Sequence, residues 1–423
     1  LIAIGLCLVV AVAVPNPIRD RTVAEHEYNP VAYARWEMWR GALHEMIEHP
    51  FGIGLGLYQY TSPLYAFPIE TEIVRYGKVA QRPHNEYLQI GVEAGIVGLL
   101  IVVWGLARVA RDAQWVLRRR LSREQRAMIV GACGAITIIL TQAVVDSNFH
   151  EPALAILLTL LVSAVMVGRK LYRGGMSQPW IISVQRPVAW ALVSAVVIGL
   201  LATHAIRLGL AYQSYESGNR LVKHELQQAI ESFQRAISLD PGKSLYHNSL
   251  AGAYFQEYRR SHNPTVLNDV LLELEMGIAL NPLDGRLQAL LGFVASSQIS
   301  SRRSLEWTAE DRRWLKMAVE AYQRAAALEP FSYAHCFELA RLMLWIGQQD
   351  EAKRYFDRVV ELEPNFLPAR EALVRLEVES GRMDMADKEY QEIVARLKQL
   401  TPRVTNQLEH KFQQVDTAGL EAM

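Results

Sequence analysis

Two rhythms divide the chain. Up to about residue 210, apolar residues come in long, nearly unbroken runs; beyond it they recur every three or four positions among charges. A helix needs about 20 mostly apolar residues to span a bilayer. Runs at roughly 1–14, 88–107, 127–145, 153–168 and 188–206 predict such helices, with Pro152 marking the entry to the fourth. The later rhythm is that of helices buried along one stripe. The expected fold is all-α: part of a polytopic transmembrane helix bundle at 1–210, a helical solenoid at 211–400 and a frayed tail at 401–423. The opening run, "LIAIGLCLVVAVAVP", has neither an initiating Met nor the basic lead of a signal peptide. It reads as the end of a membrane helix that begins upstream.

The second half repeats itself. "AIESFQRAISLDP" (229–241), "AVEAYQRAAALEP" (318–330) and "AKRYFDRVVELEP" (352–364) align, "ADKEYQEIVARL" (386–397) follows without the proline, and "VLLELEMGIALNP" (270–282) is a degenerate copy. Ala318, Ala352 and Ala386 are 34 residues apart. Small, aromatic and small residues at i, i+4 and i+7, closed by Pro, resemble tetratricopeptide repeats. Each helical hairpin has an apolar face it cannot bury alone, so neighbours stack into a solenoid whose concave surface is the expected place for a partner. The stretches near 259–268 and 296–312 read as extended loops, and the aromatic of each copy as inter-helix packing.

Charge adds direction but no partner. Residues 1–210 carry 19 basic and 14 acidic side chains, and 211–423 carry 25 and 30, so the net zero is +5 against −5. No basic stripe with interleaved aromatics occurs, which removes nucleic acid as a partner. Cys7, Cys133 and Cys336 are too few and too scattered for a disulfide framework or a zinc knuckle. The segment 108–126 holds seven arginines and 169–187 four basic residues, while 146–152 has none. Short Lys/Arg-rich loops stay cytoplasmic. Alternation then puts 15–87, 146–152 and everything after 210 on the outer side. The 15–87 loop is nevertheless basic, with Arg19, Arg21, Arg35, Arg40, Arg75, Lys78 and Arg82. Either a long loop crosses regardless of charge, or these cations meet an anion there, a task suited to the planar, permanently charged guanidinium.

Residues 81–100, "QRPHNEYLQIGVEAGIVGLL", join the two themes. On a helix starting near Pro83, Glu86, Gln89 and Glu93 share a stripe, and Gly91, Gly95 and Gly98 form a smooth one. A carboxylate inside a span costs about 2.5–3.5 kcal/mol, so Glu93 should face a partner or a wet cavity. His84 and Asn85 stand above the stripe. His84-Asn85 followed by Gly95 and Gly98, with "ARWEMWRGALHEMIEHPFGIGLGLY" (34–58) upstream, resembles the signature of bacterial O-antigen ligases and polymerases. The resemblance covers roughly residues 1–170.

That resemblance implies a membrane glycosyltransferase of the bacterial inner membrane, with the repeat domain in the periplasm. Its donor would be an undecaprenyl-diphosphate-linked glycan and its acceptor a hydroxyl on lipid, glycan or protein. No metal or other cofactor is expected, because arginines can stabilise the departing diphosphate electrostatically. An imidazole, titrating near neutrality, can take the acceptor's proton. Carried over by position, Arg35 would hold the diphosphate and His84 would be the base, with Arg40, Arg75, Arg82 and Asn85 as further substrate contacts. The resemblance also implies upstream spans and an earlier outer loop. A different class of reading, a non-catalytic membrane-anchored repeat scaffold for polysaccharide assembly, explains 150–423 but leaves the Arg and His blocks without a role.

Two tempting motifs fail. "HEMIEH" (44–49) has its histidines at i and i+5, roughly 140° apart on a helix, not on the shared face that zinc requires. "GIGLG" (52–56) lacks the strand–turn–helix setting of a nucleotide loop and reads as a tight turn. Asp146 and His150 in "DSNFHEP" fall on the same outer side as His84, which leaves a loop contact with substrate open beside the preferred reading, an ordinary polar turn.

Overall fold

The computed structural model describes residues 30–77, 80–173, 187–299 and 307–421, and among them every regular element is a helix. The expected first span, 1–14, lies outside the described residues. Two compact units emerge, one from residues 1–71 and 78–185, the other from 72–77 and 186–423.

In the first unit, α1 (Pro30–Glu48) leads through a glycine-rich turn to α2 (Tyr58–Thr61), and α3 (Glu86–Glu93) and α4 (Gly95–Leu117) follow. Next come α5 (Arg123–Gln142) and α6 (Pro152–Arg173). Ser122 opens α5 with a capping box to Gln125, which explains a sharp start after the arginine run. Ala113, Ala132, Ile136 and Val165 make the small core between α4, α5 and α6. Leu100, Trp104, Ile138 and Leu160 point outward, the arrangement of helices solvated by hydrocarbon. At one end of the core Asp112 is buried against Arg169, with Arg108 Nε 3.5 Å away.

The span expected at 88–107 is not one helix. It breaks at Ala94–Gly95, where Gly95 takes a left-handed φ of +72°. The "HPFGIG" turn inserts its backbone there: Ile53 N donates to Val92 O at 3.0 Å, Gly54 N to Glu93 O at 3.0 Å and Ile96 N to Pro50 O at 2.9 Å. Gly52, with φ +86°, faces Gly95 so closely that a Cβ on it would lie 2.4 Å from Glu93 O. The glycines therefore do not form the expected smooth stripe on one helix. Gly95 serves backbone contact with a loop, and Gly91 packs on Met46.

In the second unit, α7 (Pro187–Leu221) is continuous through residue 210, so the repeats begin inside the helix that carries the last apolar run. Its apolar part, Ala191–Leu221, joins Arg123–Gln142 and Pro152–Arg169 as helices long and apolar enough to cross a membrane. The end of α7 pairs with α8 (Leu226–Leu239). Further hairpins follow: α9 (Ser244–Ser261) with α10 (Pro264–Leu280), and α11 (Gly285–Gln298) with α12 (Ala309–Leu328). The last are α13 (Tyr333–Trp345) with α14 (Gln349–Leu362), and α15 (Leu367–Glu379) with α16 (Met383–Leu400). The second helix of each hairpin carries a repeat copy, and Phe233, Tyr322 and Phe356 are buried as packing aromatics. Gly218 and Gly292 make room for the Phe233 and Tyr322 rings, which a Cβ would approach to 2.5 and 2.9 Å.

Two expectations need correction. No extended loop occupies 259–268, because His262 ends α9 in a left-handed turn and Asn263 caps α10 with Pro264 at its first position. The other expected loop falls partly on 300–306, outside the described residues. Nor is 401–423 frayed: α17 (Gln407–Phe412) and α18 (Thr417–Glu421) fold back onto the solenoid. Phe412 is fully buried beside Tyr333 and Phe366, and Leu420 beside Leu367, Val374 and Ile393. These aromatic contacts outweigh the polarity of the segment.

Gly95→Ala should lower the thermal midpoint of the detergent-purified protein. The left-handed φ alone costs an L-residue about 1–2 kcal/mol, and the added Cβ would lie 2.4 Å from Phe51 C. Gly105→Ala, in the same helix α4 with open space around it, should leave the midpoint unchanged or slightly raised. Equal midpoints for the two variants would contradict the backbone contact.

Candidate functional site

α1 presents Ala34, Met38, Ala42 and Glu45 inward at three- and four-residue steps, with Ala42 and Glu45 fully buried. Trp39 reaches from α1 to the turn before α3, its Nε1 donating to Pro83 O at 2.9 Å. This bond ties the two sequence blocks together. Between them lies an open groove of about 580 Å³, lined by Ala34, Met38, Phe67, Ile69, Ala80, Gln81, Arg82 and His84. Its volume is in the range of small-ligand sites, about 300–1,000 Å³.

His84 holds the left-handed φ of +50°, a conformation that costs a non-glycine residue of order 1 kcal/mol or more and concentrates at functional sites. Its Nδ1 lies 3.6 Å from Asp146 Oδ1, an ion-pair separation too long for a hydrogen bond. Asn85 is buried and caps α3, its Oδ1 accepting from Tyr87 N and Leu88 N at 3.0 Å each. That bonding makes Asn85 the residue that fixes the His84 turn on its helix.

Beneath the turn, Glu86 N donates to Ala143 O at 2.9 Å, and the buried Glu86 carboxylate accepts from Phe149 N at 2.7 Å. His150 Nδ1 is 3.2 Å from the same oxygen, and its Nε2 is 3.2 Å from Gln89 Nε2. A proton on Nδ1 satisfies both contacts, with the Gln89 amide donating to Nε2. Gln89 also donates to Glu93 Oε1 at 3.2 Å, so the expected polar stripe is real and internally bonded. The 146–150 loop is thus more than a polar turn. It is fastened to α3 and brings Asp146 up to His84.

The arginines divide. Arg82 lines the groove. Arg35 is exposed one helical turn before Trp39, on the face of α1 that reaches the Pro83 turn. Arg40 is exposed and ion-paired with Glu37 at 3.7 Å, pointing away from that face. Arg75 belongs to the second unit, where its Nη1 donates to Glu361 O and Leu362 O at 3.2 and 3.0 Å. Within the first unit, His84 and Arg82 therefore line the groove together, Asn85 caps the helix beside them, and Arg35, exposed on α1, is not among the lining residues. Sequence reasoning missed Trp39 and Phe67, and ranked a site role for Asp146 below an ordinary polar turn; the i, i+4 spacing of Arg35 and Trp39 was the available signal for the first. Among the described residues, no three His, Cys, Asp or Glu side chains converge as a metal-binding group.

A buried carboxylate lies further along α1. Glu45 shares a small cavity with Met38, Gly41, Tyr58, Ser62 and Tyr65, and neither of its oxygens has a hydrogen-bond partner among the described residues. Burial pushes its pKa up from the usual 4.5 to about 7 against a smaller lowering by the nearby Thr61 hydroxyl, with Glu48 and Glu93 adding repulsion. The folded state thus holds the proton more tightly than the unfolded chain, so stability is lost as pH rises from about 4.5 through 7 and is level above that. Glu45→Gln should remove this slope and raise the melting midpoint at pH 8, by a contribution on the order of 3 kcal/mol. Parallel pH–melting curves for both proteins would contradict it.

Comparison with known proteins adds a family. Residues 1–103 match the O-antigen ligase family, Wzy_C. No curated protein matches the chain. Among solved structures, a MamA protein is 16% identical over 48% of this chain and 97% of its own, with a TM-score of 0.35. MamA from Desulfovibrio magneticus RS-1 is 11% identical over 46% and 97%, at 0.35. TTC0263, a thermophilic TPR protein of Thermus thermophilus, is 19% identical over 52% and 100%, at 0.34. Residues 1–103 match the O-antigen ligase family's pattern, in one chain with an all-α solenoid of helical hairpins.

Proposed function

We propose that the protein is a membrane glycosyltransferase that moves a glycan from undecaprenyl diphosphate to an acceptor hydroxyl at the outer face of the bacterial inner membrane. The observation that carries this reading is the groove that His84 and Arg82 line against α1, with Trp39 bonding α1 to the turn that holds His84. The family match at residues 1–103 supports a ligase- or polymerase-like enzyme, and the helices long and apolar enough to span a membrane support its embedding.

In this mechanism the acceptor oxygen attacks the anomeric carbon as the bond from that carbon to the diphosphate breaks. The electron pair leaves with the diphosphate, whose growing negative charge is met by Arg35 and Arg82; Arg40, paired with Glu37, has less support as a substrate contact. Preorganised cations aimed at developing charge are worth about 10²–10³ in rate. With Nδ1 turned toward Asp146, the Nε2 of His84 is the nitrogen left to take the acceptor's proton. Asn85 acts by holding the turn, and Arg75, already engaged by helix carbonyls, has the weakest support as a substrate contact. Repeats on the outer side would hold a protein partner, an acceptor or the growing glycan.

His84→Ala should reduce glycan transfer in membranes about 10²-fold or more, and Arg35→Ala by a similar factor. Immunoblotting should find both variants inserted at wild-type abundance. Full transfer by both variants would leave a membrane-anchored repeat scaffold as the better account.

A further inference from the structure

The solenoid contains six residues from far upstream. Glu72–Gly77 belongs to the second unit and lies along the turn between α14 and α15. Ile73 and Val74 are buried in the cluster that includes Phe356, Phe366 and Phe412. Tyr76 stacks on Phe331, with ring centroids 5.2 Å apart and planes 19° from parallel. Such a short strap of bends and one turn has no helix of its own, so most of its backbone groups need outside partners.

Glu363 supplies them. Its carboxylate is fully buried and accepts from Arg75 N at 2.8 Å through Oε2 and from Tyr76 N at 2.7 Å through Oε1. Asn365 Nδ2 donates to Ile73 O at 3.0 Å, and Arg396 Nη1 fixes that amide by donating to Asn365 Oδ1 at 2.7 Å. In return the Arg75 guanidinium caps the last carbonyls of α14, where the helix leaves acceptors unpaired and its dipole favours a cation. At the equivalent inter-repeat turns the polar side chain serves its own turn: Asn281 Oδ1 accepts from Leu283 N, and Glu329 pairs with His335 at 2.9 Å. Glu363 instead receives the backbone of a distant segment.

In sequence, the strap lies three residues beyond Ile69 and three before Ala80, both of which line the groove. We propose that the repeat domain sets the shape of the groove's own loop by holding this strap, with Glu363 as the positioning residue. The strap's capture stands apart from the transfer reaction, whereas its effect on transfer rests on the function proposed above.

The test uses the full-length protein in membranes, with trypsin cleavage at the Arg75–Tyr76 bond followed by mass spectrometry and transfer measured in parallel. Glu363→Ala leaves two strap N–H groups without an acceptor, and cleavage should accelerate at least tenfold. Glu363→Gln can accept only one of them and should fall between. Val74→Gln releases the strap from its own side without altering any hairpin residue or adding a trypsin site, and should match Glu363→Ala. Transfer should fall in the same order. Unchanged cleavage in both Glu363→Ala and Val74→Gln would overturn the capture; faster cleavage with full transfer would overturn the positioning role. Absent transfer in the wild-type protein, with cleavage ordered as expected, would sink the enzymatic reading and leave the strap in place.

Discussion

Two backbones touch where Gly52 and Gly95 meet, and the first unit depends on that contact. It is possible only because both residues adopt left-handed φ and neither carries a Cβ. The contact cuts an apolar run in two, ending α3 at Glu93 and letting α4 start anew at Gly95. It also anchors the end of α1 through three loop-to-helix backbone bonds. With α1 fixed at that end and Trp39 bonded to Pro83 midway, the groove wall and the His84 turn have defined places.

Charge follows the same scaffold. The carboxylates Glu86 and Glu93 are drawn into side-chain and backbone bonds below the His84 turn, whereas Arg82 and Arg35 remain on the open side. A diphosphate entering the groove would meet guanidinium groups before it met any buried carboxylate. The strap extends this logic into the solenoid, where a helix end and a buried glutamate each find their complement in six residues of upstream loop.

What was legible in the sequence follows from periodicity. The repeat copies announce their hairpins because a 34-residue spacing and a packing aromatic recur, and each copy becomes the second helix of a pair. The apolar runs announce helices, but Asn85, expected as a substrate contact on a helix starting near Pro83, is instead the cap of a helix that starts at Glu86. Hydropathy could not reveal the break at Gly95, since a left-handed glycine inside an apolar run leaves the run apolar. The folding of the tail was hidden because Phe412 and Leu420 bury against side chains on helices far from them in sequence. Arg75 was chosen for its charge and its closeness to His84 along the chain. Its partners are carbonyls 286 and 287 positions away, which no local pattern records. Asp146 was ranked as part of a polar turn for the same reason: the Glu86 and Gln89 bonds to residues 149 and 150 that hold its loop near His84 leave no local pattern.

The central claim is that a lipid-borne diphosphate binds between α1 and the His84 turn. The most direct measurement is photocrosslinking of the purified protein with an undecaprenyl-diphosphate glycan analogue carrying its reactive group beside the diphosphate. Adducts mapped by mass spectrometry should fall on residues 34–40 and 80–86, and excess unlabelled donor should remove them. Adducts confined to other segments, or labelling that excess donor does not diminish, would contradict the account.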